Sequence, residues 1–186
     1  MNTRWHCAAG LALALLAACS HTGTAPAAGS TASTHVWSRT MEARRVALEN
    51  ATRDTGIEVL RTRSDALQVN VPSDFSFASG SAELTPDMKR VLDEFARGLE
   101  APALAHLTIH IVGHTDSTGP DAVNDPLSVA RAENVRKHLM ALGIAPTRIE
   151  IEGRGEHQPQ VGNDKPYGRA LNRRVEILLR EPRTGS

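Results

Sequence analysis

The sequence has few of the residues on which disulfide-rich and zinc-binding proteins depend. Its 186 residues include two cysteines and 3% aromatic residues, and 21 basic residues balance 21 acidic ones. Two cysteines cannot build a disulfide framework or a zinc finger. A net charge of zero is not typical of a nucleic-acid-binding protein, so we expect no nucleic acid among its partners.

Long hydrophobic runs are also scarce, and the one present is close to the N-terminus. Residues 8–18 are almost entirely apolar and follow the basic Arg4, a pattern typical of a secretory signal. The run leads through Leu-Ala-Ala into Cys19, an order that resembles the bacterial lipobox, in which the cysteine becomes the lipidated first residue of the mature protein. The resemblance implies a signal peptide over residues 1–18 and, because Ser20 follows the cysteine, an outer-membrane protein with its domain in the periplasm.

The chain after the signal changes composition twice. Residues 19–35 consist mainly of Ala, Thr, Ser, Gly and Pro without apolar periodicity, which predicts a flexible linker that carries the lipid. Residues 36–66 are predicted to form an N-terminal extension with a weakly apolar helix over residues 36–52 and one strand of a hairpin. The main domain is predicted over residues 67–180, followed by a polar tail at residues 181–186.

Five segments alternate apolar and polar residues and are predicted to be strands: 57–60, 67–71, 107–112, 149–151 and 175–179. Two helices are predicted between them, which gives the order β-β-α-β-α-β-β. Both helices need a sheet face to cover. The pattern therefore predicts an α/β (α+β) sandwich of two layers, with the helices on one face of a mixed sheet and the hairpin strand at its N-terminal side.

The two predicted helices have clear start signals. Thr85 followed by Pro86 is typical of a helix N-terminus, and Pro102 is expected to stop this first helix. Asp125 followed by Pro126 repeats the cap-and-proline pattern for the second helix.

The second helix carries a charge where an apolar residue is expected. Counting back from Leu142 through Leu139 and Val135 places Arg131 on the buried stripe. A buried guanidinium is costly unless an anion satisfies it. Because Arg131 follows the predicted cap by six residues, the free N–H groups of the helix start are expected to favour an anion there as well.

The loop after the third predicted strand supplies a carboxylate. Residues 113–120 place Asp116 at the C-terminal end of a strand, where open α/β sheets commonly bind ligands. Two interpretations stay open. Asp116 and Arg131 pair with each other, or they are separated and hold one zwitterionic ligand, with Asp116 at its ammonium and Arg131 at its carboxylate.

Five motifs follow one another along this part of the chain: FSF at 75–77, GHTDSTG at 113–119, NDPLSVARA at 124–132, GRGE at 153–156 and NRRVEI at 172–177. In order and spacing they resemble OmpA-like peptidoglycan-binding domains, and the resemblance covers about residues 67–179. It implies a non-catalytic domain that binds the diaminopimelate of peptidoglycan stem peptides without a cofactor.

The resemblance also implies roles for single residues. Asp116 and Arg131 would hold the free amino-acid end of diaminopimelate, and Asn124, Thr118 and Arg174 would complete the ligand-binding set. The implied partners are peptidoglycan, the outer membrane through the lipid, and envelope proteins. A second function therefore stays open, that of a protein–protein adaptor or assembly factor of the cell envelope that uses the same domain.

The sequence gives less support to a metal site or a catalytic site than to a binding site for peptidoglycan. His106, His110 and His114 are four residues apart, but neighbours at this spacing on a strand lie about 13 Å apart, too far to share one ion. His114, Asp116 and Ser117 include the residue types of a hydrolase triad, yet they are crowded into four positions and no Gly-x-Ser-x-Gly elbow is present. We therefore expect neither a metal site nor an enzyme.

Overall fold

The computed structural model describes residues 37–182, except residue 79. The predicted signal peptide, the linker with Cys19 and residues 183–186 lie outside the described residues. None of the helices in the described part combines the length and apolar character needed to cross a bilayer. The elements are, in chain order, α1 (Arg39–Ala51), β1 (Glu58–Arg61), β2 (Leu67–Pro72), α2 (Ser73–Ser76), α3 (Pro86–Ala96), β3 (Thr108–Gly113), α4 (Asp121–Ala141), a 3-10 turn (Pro146–Arg148), β4 (Ile149–Gly153), α5 (Pro166–Asn172) and β5 (Arg174–Arg180).

The five strands form one mixed sheet in the order β1-β2-β5-β3-β4. The strand β5 is antiparallel to both neighbours, and Ile177 lies opposite Val69 on β2 and Ile111 on β3. The pair β3–β4 is parallel. Alternate residues of β5, such as Ile177 and Leu179, are fully buried, whereas Leu178 between them is half-buried. The predicted mixed sheet is confirmed.

Helices cover one face of this sheet and form the second layer. The α3 helix begins as its sequence predicts: the Thr85 side chain accepts a hydrogen bond from the Met88 N–H, and a proline occupies the first helical position. Its apolar stripe is buried in the same core as Met41 and Leu48 of α1. The two-layer α/β sandwich is thus confirmed, and the predicted N-terminal extension shares its core.

Two predicted helix boundaries are wrong. The second helix begins at Asp121 rather than at Asp125, so Pro126 lies inside α4 as its sixth residue. A proline at this position removes one backbone N–H donor from the helix. It comes just after the first turn, whose N–H groups have no partner within the helix. The first helix ends at Ala96, before Pro102, because Gly98 adopts a left-handed conformation with φ of 81°. The short helices α2 and α5 lacked a periodic signal and were not predicted.

Two glycines allow α4 to lie directly on the ends of β3 and β4. A Cβ atom at Gly113 would lie 2.1 Å from the Ser128 carbonyl oxygen, and one at Gly153 would lie 2.4 Å from a methyl carbon of Val129. Only glycine permits such an approach. The middle of α4, which carries Arg131, is therefore held against the C-terminal ends of the two parallel strands.

Candidate functional site

A cavity of about 510 Å³ opens at the C-terminal end of β3. Its walls come from α2 and the segment after it, from the loop that follows β3, and from the first half of α4. Four charged side chains line it: Asp74, Asp116, Arg131 and Arg173. Two negative and two positive groups make the lining neutral as a whole.

Arg131 is a buried cation without an anionic partner in the part of the chain that the structure describes. The residue is 5% exposed, and its Nε donates to the carbonyl oxygen of Ser81 at 3.2 Å. Its Nη1 lies 3.4 Å from the Ser73 hydroxyl, and the guanidinium lies 5.0 Å from the centre of the Phe77 ring. These neutral contacts leave the positive charge of Arg131 available to an anion in the cavity.

The helix start contributes less to Arg131 than predicted. The N-cap of α4 is Pro120, eleven residues before Arg131, so the free N–H groups of the first turn are remote from the guanidinium. Burial lowers the pKa of Arg131, and the negative charge of Asp74 acts in the opposite direction. Arginine nevertheless stays protonated in proteins, so the group remains a cation.

Asp116 is a buried and oriented carboxylate. It is 7% exposed, its Oδ1 accepts a hydrogen bond from the Thr118 N–H at 2.9 Å, and its Oδ2 accepts one from Arg173 Nη1 at 2.7 Å. Burial by itself would raise the pKa of Asp116, but the hydrogen bonds from Arg173 and Thr118 outweigh it and lower the pKa below its ordinary value. Asp116 therefore pairs with Arg173, and the interpretation in which it pairs with Arg131 is wrong.

Arg173 is the charged cavity residue that the sequence did not reveal. Its Nε and Nη2 donate to the two carboxylate oxygens of Asp74 at 3.2 and 2.7 Å, while Nη1 binds Asp116. The hydrogen bonds to both carboxylates raise its pKa above the usual arginine value. Arg173 thus joins α2 to the loop after β3 and fixes the position of Asp116.

Arg174 does not line the cavity, which corrects the predicted ligand-binding set. As the first residue of β5 it points to the sheet face opposite the helices, where its Nε and Nη2 bind Glu176 at 2.8 and 2.7 Å. Its Nη2 also lies 3.4 Å from His114 Nε2. Side chains alternate along an extended chain, so only one of two adjacent arginines can face the cavity.

Asn124 and Thr118 shape the cavity wall. The Asn124 Nδ2 donates to the carbonyl oxygens of Asp116 and Gly119 at 3.0 and 2.9 Å and to Glu156 at 2.9 Å. Asn124 lies in the first turn of α4. Thr118 acts on Asp116 through its backbone N–H. Both residues line the cavity, and their observed contacts hold the loop that carries Asp116.

The residues considered for a metal site or a triad are dispersed. The three histidines each face a different glutamate: His106 faces Glu181, His110 faces Glu152 and His114 faces Glu176. His114 also contacts Arg174 rather than Asp116, so the triad residues are not aligned. Within the described residues, one group close enough to share an ion is exposed and joins distant parts of the chain: Asp121, Asp125 and His157.

Comparison with known proteins decides the family. Residues 76–173 match the model of the OmpA family. This chain belongs to the OmpA family. It is 36% identical to the "Probable lipoprotein YiaD" of Escherichia coli (strain K12) over 140 residues, which cover 75% of this chain and 62% of the relative. It is 40% identical to the "Peptidoglycan-binding protein ArfA" of Mycobacterium tuberculosis (strain ATCC 25618 / H37Rv) over 104 residues, 56% of this chain and 31% of ArfA.

The chain therefore spans less than two thirds of the length of these relatives. Among solved structures it is similar to the cell wall anchor of the T6SS from Pseudomonas aeruginosa, with a TM-score of 0.62, 29% identity, and coverage of 73% of this chain and 97% of that one. The predicted OmpA-like family and fold are confirmed.

Proposed function

We propose that this protein binds peptidoglycan through the free amino-acid end of a diaminopimelate residue. Asp116 receives the ammonium group and Arg131 the carboxylate. The observation that carries the proposal is the guanidinium of Arg131, a residue that is only 5% exposed. This group has only neutral partners among the described residues and lines a cavity that Asp116 also lines. No reaction is required of the site, so we propose a binding protein and not an enzyme.

The charges of the cavity suit a zwitterion. Two carboxylates and two guanidinium groups line it, so a ligand with one positive and one negative group leaves the cavity neutral. An exposed ion pair contributes only about 0–1 kcal/mol, whereas charge-assisted hydrogen bonds in a buried site contribute more. The planar fork of Arg131 can also bind a carboxylate with two hydrogen bonds.

The names of relatives support peptidoglycan as the partner. ArfA is named a peptidoglycan-binding protein, and the similar structure from Pseudomonas aeruginosa is titled a cell wall anchor. One small polar site gives modest affinity. Many copies on one membrane surface that face one polymer would hold the wall by multivalency.

We further propose that lipids on Cys19 fix the protein to the outer membrane and that residues 20–35 connect them to the domain. Each buried lipid methylene contributes about 0.8 kcal/mol, so several acyl chains retain a protein on a membrane. Sixteen linker residues reach at most about 50 Å. Replacing Cys19 with serine should move the protein from the membrane fraction to the soluble fraction, and retention of Cys19→Ser on membranes would contradict the anchor.

Sedimentation with purified sacculi tests the binding proposal. The full chain in detergent should sediment with the sacculi and release no soluble wall fragments, whereas Asp116→Ala and Arg131→Ala should stay in the supernatant. Asp116→Ala leaves Arg173 paired with Asp74, so its melting temperature should stay close to that of the wild type. Arg154→Ala, at an ion pair outside the cavity, is the matched control and should sediment normally.

An envelope adaptor without wall binding gives a different result. The wild-type protein would then remain in the supernatant together with both variants. Sedimentation of Arg131→Ala at the wild-type level would remove Arg131 from the proposed site.

A further inference from the structure

Asp74 and Arg173 lie side by side because the backbone holds them there. The N–H of Ser73, the residue before Asp74, donates to the Arg173 carbonyl oxygen at 2.8 Å. The Arg173 N–H in turn donates to the Arg169 carbonyl oxygen at 3.0 Å. The start of α2 is thus tied to the residue that follows α5, and main-chain hydrogen bonds set the position of Asp74 relative to Arg173.

The Arg173 side chain divides its hydrogen bonds unequally between two carboxylates. Its Nε and Nη2 form a bidentate pair with both oxygens of Asp74, whereas Nη1 alone binds Asp116. The Asp74 side chain is 68% exposed, and an exposed ion pair contributes little to stability. The main effect of the bidentate pair is therefore on the direction in which the Arg173 guanidinium points.

The single contact with Arg173 leaves Asp116 with free acceptor positions. An ionised carboxylate can accept about four hydrogen bonds. Among the described residues, the Thr118 N–H donates to Oδ1 of Asp116 and Arg173 donates to Oδ2. The remaining positions are available to the ammonium group of a ligand.

Loss of Asp74 would change how Arg173 binds Asp116. Asp116 would then be the one carboxylate left to Arg173 among the described residues. An arginine and a carboxylate frequently form a bidentate pair, which engages both oxygens. A ligand ammonium would have to compete with a second N–H of Arg173 for the oxygens of Asp116.

Asp74 acts differently on the carboxylate end of the proposed site. Its negative charge raises the pKa of Arg131, against the effect of burial, but the hydrogen bonds of Arg131 go to Ser81 and Ser73. A negative charge near Arg131 opposes the approach of a ligand carboxylate. Loss of the Asp74 charge should therefore weaken binding of the ammonium and leave binding of the carboxylate unchanged or stronger.

We propose, on the basis of the proposed function, that Asp74 is a positioning residue for the ammonium of the ligand. By holding Arg173 in a bidentate pair, Asp74 limits Arg173 to one hydrogen bond with Asp116. The other acceptor positions of Asp116 stay open for the ligand, and Asp74 itself needs no contact with it.

The test measures by calorimetry how the full chain in detergent binds two soluble probes: the tripeptide L-Ala-D-Glu-diaminopimelate, and the same tripeptide with hydrogen in place of the amino group at its free end. Asp74→Asn should bind the first probe about tenfold more weakly than the wild type, because a hydrogen bond to a charged group is lost. It should bind the second probe at least as tightly as the wild type. Asp87→Asn, at an exposed ion pair with Arg90 outside the cavity, is the matched control and should bind both probes as the wild type does.

A second variant separates positioning from direct contact. In Arg173→Gln no guanidinium competes at Asp116, so the further change Asp74→Asn should not weaken binding of the first probe. A further loss would show that Asp74 contacts the ammonium directly, and it would overturn the positioning role.

Two results of the first comparison would also overturn the inference: unchanged affinity of Asp74→Asn for the first probe, or an equal loss for both probes. In each of these cases, tighter binding of the first probe than of the second by the wild type still supports the proposed function. Binding of neither probe by the wild type would overturn both proposals.

Discussion

Arg131 and Arg174 are two buried arginines with the same burial and opposite surroundings. The two residues are 5% and 6% exposed. Arg174 has a carboxylate oxygen of Glu176 at 2.7 Å, two residues along the same strand. Arg131 contacts a carbonyl oxygen, a hydroxyl and an aromatic ring. Burial alone therefore does not distinguish the two arginines, whereas the presence or absence of a nearby carboxylate does.

Two other arginines near the sheet face opposite the helices also pair with carboxylates, as Arg174 does. Arg154 binds Glu152 at 2.7 Å, and Arg180 binds Glu150 at 3.0 Å. On this face Arg174, Arg154 and Arg180 each have a carboxylate partner within the sheet. In the cavity, Arg173 pairs with Asp74 and Asp116, whereas Arg131 has no carboxylate partner among the described residues.

The largest expected effect separates the two arginines. Arg174→Ala leaves Glu176 without its partner and should lower the free energy of unfolding by about 3–5 kcal/mol, measured by urea denaturation, with sacculus binding per folded molecule unchanged. Arg131→Ala removes an unpaired buried cation, so it should abolish binding and leave the free energy of unfolding within about 1 kcal/mol of the wild type. If Arg131→Ala unfolds the protein and Arg174→Ala abolishes binding, the comparison is reversed and the account is wrong.

The next effect concerns the ligand of Arg131. In walls whose stem peptides carry lysine in place of diaminopimelate, the second carboxylate is missing while the ammonium remains. Loss of one charge-assisted interaction should weaken binding by about 10–100-fold. Titration of the protein against sacculi of both kinds measures the ratio, and equal retention on both walls would contradict the role of Arg131.

The free energy of unfolding should depend on pH through His114, which lies beside Arg174. Burial and the adjacent Arg174 lower the pKa of His114 to about 4, against an ordinary value of 6.5. Between these values the unfolded chain takes up a proton that the folded chain does not, so the free energy of unfolding falls as the pH drops from 6.5 towards 4, by an amount on the order of 2 kcal/mol. His114→Gln should flatten this slope in denaturation curves; an equally steep slope in the variant would assign it to other groups.

The smallest expected effect compares a half-exposed arginine–glutamate pair with the buried pair of Arg174 and Glu176. Arg154 forms its ion pair with Glu152 at the half-exposed surface of the same sheet face. Arg154→Ala should lower the free energy of unfolding by no more than about 1 kcal/mol, because solvent screens exposed pairs. A loss as large as that of Arg174→Ala would show that burial does not distinguish the two.

The sequence predicts the fold where local patterns are strong. Strand alternation located all five strands, and the Thr85 cap located the start of α3. Asp125 and Pro126 misplaced the start of α4 because a cap-and-proline signal also fits a proline one turn inside a helix. There the side chain of Asn124 secures the first turn to the loop before it, a tertiary contact that no local pattern contains.

Local sequence patterns also predicted part of the candidate site. Arg131 was found because a charge broke the apolar stripe of a long helix, and Asp116 because it follows a strand. Arg173 was missed because α5 has only seven residues and no periodic stripe, and because the choice between Arg173 and Arg174 depends on the residue at which β5 begins. One residue of register decides which arginine faces the cavity.

A crystal structure of the protein with meso-diaminopimelate bound tests the central claim most directly. The account predicts a carboxylate of the ligand within about 2.7–3.2 Å of the Arg131 guanidinium and its adjacent ammonium at the same distance from the Asp116 carboxylate. A ligand bound elsewhere, or one whose carboxylate leaves Arg131 with only its neutral contacts, would contradict it.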